Sequence, residues 1–208
     1  MATLGITGKP TASWHGYGGS STINQEAEQL TIPKGGTIYS VGCWIGGWDG
    51  ACDVWLTIWD AAGARPKLAQ SAMVTVANEG SPGDGKVKLY VAALTAPLDL
   101  PTGFDFLVGF VRKQNDAHQV STGPSAAGHR HGRSGANQQT AAFGVTDYSS
   151  QVQRIGAYVA DYQPRPGAWV YRSGVWQQSD TVSVYRAGSW VEADGVSVRR
   201  GSAWNEAD

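Results

Sequence analysis

The last 42 residues are one 14-residue pattern written three times, and this repeat constrains the chain more than any other feature. Aligning 167–180, 181–194 and 195–208 puts Trp176, Trp190 and Trp204 at one position, Arg172, Arg186 and Arg200 at another, and Asp180, Asp194 and Asp208 at the end. A fixed short period means one supersecondary unit repeated. In the middle copy Val182 to Tyr185 alternates like a strand, Ala187 and Gly188 supply a two-residue turn, and Trp190 to Ala193 runs back. Each unit therefore reads as a β-hairpin, with turns at Ser173-Gly174, Ala187-Gly188 and Gly201-Ser202. That register sets Tyr171 opposite Trp176, Tyr185 opposite Trp190 and Arg199 opposite Trp204, six residues expected to pack the repeats. Hairpins this small bury little by themselves, and the tract contains neither Cys nor His to staple it. The expectation is a homo-oligomer, specifically a trimer, or a larger assembly.

Composition sets the rest of the frame. Only 16% of the 208 residues are charged, against 28 Gly and 9 Trp, which is poor material for helices. The formal net charge of −1 gives no electrostatic reason to expect nucleic acid as a partner. No apolar run approaches the length of a membrane span and the first residues lack a basic, apolar leader, so synthesis in the cytoplasm without membrane insertion is expected.

Upstream of the repeats the pattern is one of strands and turns. Thr37 to Ile45 alternates, with Tyr39, Val41, Cys43 and Ile45 on one face and Trp44 on the other. Asp53 to Asp60 places Val54, Leu56 and Ile58 inward and Trp55, Thr57 and Trp59 outward. By the same parity Cys43 and Cys52 are inward core thiols, and a disulfide is not expected in a cytosolic product. Ser71 to Ala77, Lys86 to Ala92, Phe104 to Val111, Phe143 to Val145 and Ile155 to Tyr162 read as further strands. Between about Lys113 and Gln139 the pattern disappears, as in a functional or mobile loop. The organisation expected is an N-terminal arm (1–20), an antiparallel jelly-roll-like β-sandwich (21–162), a linker (163–166) and the three hairpins (167–208): an all-β chain.

The runs LTIPKGGTIYSVGCWI, DVWLTIWDAAGARPKLAQS and LDLPTGFDFLVGF resemble jelly-roll modules of the carbohydrate-binding kind, over about residues 20–162. The terminal VSVYRAGSWVEAD units resemble the short C-terminal repeats of minor tail proteins in long-tailed phages of actinobacteria. The two resemblances imply a virion surface protein whose partners are other virion proteins and host cell-wall polysaccharide. Its place would be the tail, or alternatively the capsid, as a decoration protein or head fibre.

Three sets of residues are candidates for chemistry. Trp44, Trp55 and Trp59, with Trp48 and Asp49 in the adjoining loop, form the expected glycan-binding set, because flat exposed indoles stack on sugar rings while carboxylates accept their hydroxyls. Burial under a loop or another subunit is the competing reading of the same tryptophans. His129 and His131 form an H-x-H pair that reads either as solvated loop histidines or, around a threefold axis, as transition-metal ligands. No other metal site and no cofactor is expected. The motifs G-x-S-x-G, H-E-x-x-H and a phosphate-binding Gly loop are absent from the sequence, so a non-enzyme is expected, with a two-carboxylate polysaccharide depolymerase as the alternative from another class.

Overall fold

A computed structural model describes residues 2–11, 13–17, 24–80, 86–113, 115–125, 129–132, 142–144 and 153–165, and in the C-terminal tract 168–172, 175–179, 183–186, 189–192, 197–200 and 203–206. The described residues are strands and connections without an α-helix. Among the described residues, twelve strands make up the first of two compact units, Met1–Gln163, the last of them running one residue past it. They are β1 (Ala2–Gly5), β2 (Ser13–Tyr17), β3 (Gln25–Thr31), β4 (Gly36–Gly47), β5 (Cys52–Asp60), β6 (Lys67–Val76), β7 (Lys88–Leu100), β8 (Asp105–Arg112), β9 (His118–Ser125), β10 (His129–Gly132), β11 (Gln153–Ile155) and β12 (Ala157–Pro164).

All ladders between these strands are antiparallel. One layer runs β6-β5-β8-β3-β10, and the other runs β1-β12-β4-β7 with β9 also on β4 and β2 and β11 on β9. The layers meet at a corner where β6 and β7 pair through Ser71 and Leu94. The result is an antiparallel sandwich-like fold, nearly closed on itself, as the alternation in the sequence implies.

Strand parity explains the core. Val54, Leu56 and Ile58 of β5, Phe106, Val108 and Phe110 of β8, and Val41, Cys43 and Ile45 of β4 are buried together in one interior cluster. Both cysteines lie in it as free thiols. Burial pushes the Cys52 thiol up to about 12 and the Cys43 thiol higher still, so neither forms thiolate near neutral pH. Close approach of β3 to β8 needs Gly109, since a Cβ there would sit 1.9 Å from the Glu26 carbonyl oxygen.

Four expectations change. The N-terminal arm is part of the sandwich: β1 pairs with β12, and β2 with β9. The patternless stretch after Lys113 carries β9 and β10, which pair with β4 and β3. Tyr39 is only half-buried, and Ile38 takes the core position instead. The cause is a register shift against β7, where Ile38 pairs with Leu98 but Ser40 with Ala93, setting Leu94 to Pro97 against Tyr39 alone. Finally, residues 142–144 form no strand but a cover over the outer face of β3 and β5, described below; Val145 lies outside the described residues.

The second unit, Pro164–Asp208, contains three two-stranded sheets: β13 (Ala168–Arg172) with β14 (Val175–Ser179), β15 (Ser183–Arg186) with β16 (Ser189–Glu192), and β17 (Ser197–Arg200) with β18 (Ala203–Glu206). Tyr171 pairs with Trp176, Tyr185 with Trp190 and Arg199 with Trp204, the register that the repeat requires. The turn residues 173–174, 187–188 and 201–202 lie outside the described residues. Among the described residues no ladder joins one hairpin to the next.

Candidate functional site

The five residues expected to stack on glycans fall into three environments. Trp55 and Trp59 do point away from the aliphatic side of β5, as parity dictates, yet they are not exposed. Trp59 has no accessible surface and Trp55 only 9%, in a second small core with Ala27, Leu107, Val111 and Phe143. Phe143 meets the Trp59 ring edge-on, centroids 5.1 Å apart. Its segment is fastened at three points: Phe143 N–H donates to the Arg65 carbonyl at 2.9 Å, Gly144 N–H to Gln25 Oε1 at 2.8 Å, and Gln25 Nε2 donates to the Ala142 carbonyl at 3.2 Å. A buried glutamine thus clips a distant segment over the tryptophan face. These two indoles are structural and are withdrawn from the glycan set.

Trp44 is half-buried on the outer face of β4. Its ring lies against Gly156, where an added Cβ would come within 2.6 Å of it, and its Nε1–H donates to the Thr7 carbonyl at 3.1 Å. The indole therefore ties the N-terminal segment to the sandwich. Leu89, 40% exposed, pairs with it across the β4–β7 ladder, and Val91 follows two residues on at 51%.

Trp48 and Asp49 stand apart from both groups. The loop between β4 and β5 and the loop between β8 and β9 face each other across a cleft of about 300 Å³ walled by Trp48, Asp49, Ala51, Asn115 and Asp116. Each loop turns through a left-handed residue, Asp49 at φ 63° and Asn115 at φ 70°, a conformation that Asp and Asn tolerate better than other non-glycine residues. The loops are locked together. Trp48 N–H donates to the Ala117 carbonyl at 3.2 Å and Asp53 N–H to Asp116 Oδ2 at 2.7 Å. Asp53 in turn accepts from Thr75 Oγ1 at 2.8 Å and Lys113 Nζ at 3.1 Å, bonds that hold its carboxyl below the ordinary carboxylate range.

One indole, two carboxylates and an amide on a rigid rim are groups that bind a polyhydroxylated ring by stacking and hydrogen bonding. Asn115 and Asp116 were invisible to parity arguments, because QND looks like any polar turn until β8 and β9 bring it opposite WDG. His129 and His131 lie in β10 rather than in an open loop, opposite Glu28 and Glu26 of β3. Among the described residues no group of three or more His, Cys, Asp or Glu is arranged as a metal site.

No protein-family model matches the chain. No curated protein and no solved structure matches it either, so the reading of the site rests on its own residues.

Proposed function

We propose that this chain is a non-enzymatic structural protein of a phage virion, placed at the tail surface, where the sandwich touches host cell-wall glycan through the Trp48 cleft. The observation that carries the proposal is the two-part build: a nearly closed β-sandwich with an aromatic, carboxylate-rimmed cleft, followed by three hairpins in a 14-residue register. Single hairpins are marginal in water, so a tract of three calls for neighbours to cover it. A homotrimer or adjoining virion proteins supply that cover. The alternative placement on the capsid, as a decoration protein or head fibre, draws on the exposed Leu89 and Val91 of β7, an apolar strip suited to lying against a shell.

Two measurements test the proposal. Locating the chain in an electron-microscopy map of the virion separates tail from capsid, and absence from the particle overturns the virion reading. For the cleft, Trp48→Ala should weaken binding to actinobacterial cell-wall polysaccharide by about 1–3 kcal/mol, the size of a lost stacking contact, without lowering the melting temperature. Equal binding by parent and variant rejects the cleft as the glycan site, and release of shortened saccharides by the parent protein would replace the binding role with depolymerase activity.

A further inference from the structure

The two loops that wall the Trp48 cleft bring one sign of charge to it. Trp48, Asp49 and Ala51 come from the loop after β4, and Asn115, Asp116 and Ala117 from the loop after β8. No lysine or arginine stands among the lining residues. Gln114, which joins Lys113 to Asn115 in sequence, adds no charge. Asp49 is exposed and Asp116 half-buried, so both are open to solvent at the rim. Asp116 is placed before any ligand arrives, because its Oδ2 already accepts the Asp53 N–H at 2.7 Å.

The cations nearest the cleft are engaged elsewhere. Lys113 Nζ meets Asp53 Oδ2 at 3.1 Å, and this hydrogen bond, with the charges of Asp53 and Asp116, pushes the ammonium above its ordinary pKa. Arg112 is buried, does not line the cleft, and lies within electrostatic reach of buried Glu26 as well as of Asp116. Asp49 takes part in no ion pair among the described residues. A ligand entering the cleft therefore meets carboxylates that outnumber the cations around them, and the walls of a cleft focus such a field.

We propose, on the reading of this cleft as the glycan site, that it selects a hexosamine polymer with free amino groups, the ring lying on the Trp48 indole and its ammonium beside the Asp49 and Asp116 carboxylates. An ammonium is attracted by the carboxylates and by the indole face alike. The Asn115 amide can both donate to and accept from ring hydroxyls. Acetylation of the amine removes the charge and leaves stacking and neutral hydrogen bonds alone. Uronic acids and phosphate-linked polymers meet like charge and are rejected, so the site discriminates by repulsion as well as by attraction. At about 300 Å³ the cleft sits at the small end of ligand pockets, roughly 300–1,000 Å³, and takes a short stretch of chain.

The test is isothermal titration calorimetry of the full chain with oligomers of glucosamine, N-acetylglucosamine and galacturonate, at a mildly acidic pH where the sugar amine is protonated. The glucosamine oligomer should bind about 10-fold or more tighter than the acetylated one and lose that advantage in high salt, and the galacturonate oligomer should bind weakest. Asp49→Asn, which a left-handed turn accepts as readily as Asp, should cut the preference about fivefold. Asp99→Asn removes the same net charge opposite Thr37, at the other end of β4, and should keep the preference. A preference near unity, one that survives Asp49→Asn, or one that falls equally with Asp99→Asn overturns the charge selection. A lysine peptide that displaces the glucosamine oligomer at equal concentration assigns the cleft to amines in general and overturns the sugar class. The underlying site is read separately: if Trp48→Ala weakens both glucosamine and N-acetylglucosamine oligomers, the cleft is the glycan site whatever the preference. If that variant binds both as the parent does, or if no oligomer binds the parent, the cleft reading fails and the proposal with it.

Discussion

The sandwich and the hairpin tract are both built of antiparallel strands, but they close their ladders over very different distances. In the sandwich, β3 pairs with β8 and β10, and Gln25 is hydrogen-bonded to Ala142 across 117 residues of sequence. In the tract every ladder joins strands separated by only two residues, as with Arg172 and Val175. Non-local pairing allows two faces of one strand to be buried at once, which is why β5 contributes to the interior cluster with Leu56 and to the outer one with Trp59. Local pairing sets register through the turn alone. A chain can thus specify hairpins in a short tract and still depend on neighbours to keep them folded.

The strongest break in this comparison is expected at Trp59. Replacing it by Ala removes a fully buried indole and its contact with Phe143, at a cost of about 3–5 kcal/mol. Denaturant unfolding followed by tryptophan fluorescence should show the sandwich transition moving to lower denaturant. An exposed stacking platform would instead lose glycan binding and keep its stability, so an unchanged midpoint would contradict the burial.

Removing residues 167–208 asks the converse question. The truncated chain should fall from trimer to monomer in light scattering at micromolar concentration, while the sandwich melts within a few degrees of the parent, since its ladders close within Met1–Gln163. An intact chain that is already monomeric would show that the three hairpins stand without subunit neighbours. A truncated chain that no longer folds would show that the sandwich depends on the tract.

The two regions also differed in how much of them the sequence disclosed. The repeat revealed all three hairpin registers, because a two-residue turn between alternating runs leaves no other pairing that keeps Trp176, Trp190 and Trp204 equivalent. Parity likewise separated Val54, Leu56 and Ile58 from Trp55 and Trp59. It was silent on what covers the tryptophan side, since the cover, Phe143, comes from a segment whose only link to β5 is spatial. β3 was hidden for a related reason: its buried inward positions include Glu26 and Glu28, so hydrophobic alternation has little to detect, and partners for them, His118 for Glu26 and the Ile155 N–H for Glu28, come from strands distant in sequence. The short β1 and the Gly- and Ser-containing β9 gave too few apolar positions to show a period. Of the glycan candidates, Trp48 and Asp49 kept a cleft setting because loop residues are not subject to the second-face burial that claimed Trp55 and Trp59.

The gentlest probe of the same contrast is acid. Asp53 joins β5 to Thr75 of β6 and to Lys113 beyond β8, and hydrogen bonds from both hold its carboxyl below the ordinary range. A carboxyl depressed in the folded state adds stability above its unfolded value, about 3.9, and that contribution is lost as pH falls through the folded value. The parent should therefore melt slightly above Asp53→Asn at neutral pH, and the two should converge on acidification. The Lys113 partner is more than half exposed and screened by solvent, so the gap should be only about 1–2 °C. Because the described partners of Asp53, Thr75 and Lys113, lie in the sandwich, the gap should be the same in the chain lacking residues 167–208. A gap that persists below the carboxylate range would assign the effect to packing rather than charge. One that vanishes on truncation would mean that the stability of the sandwich depends on the rest of the chain, and the two regions could not be treated as independent.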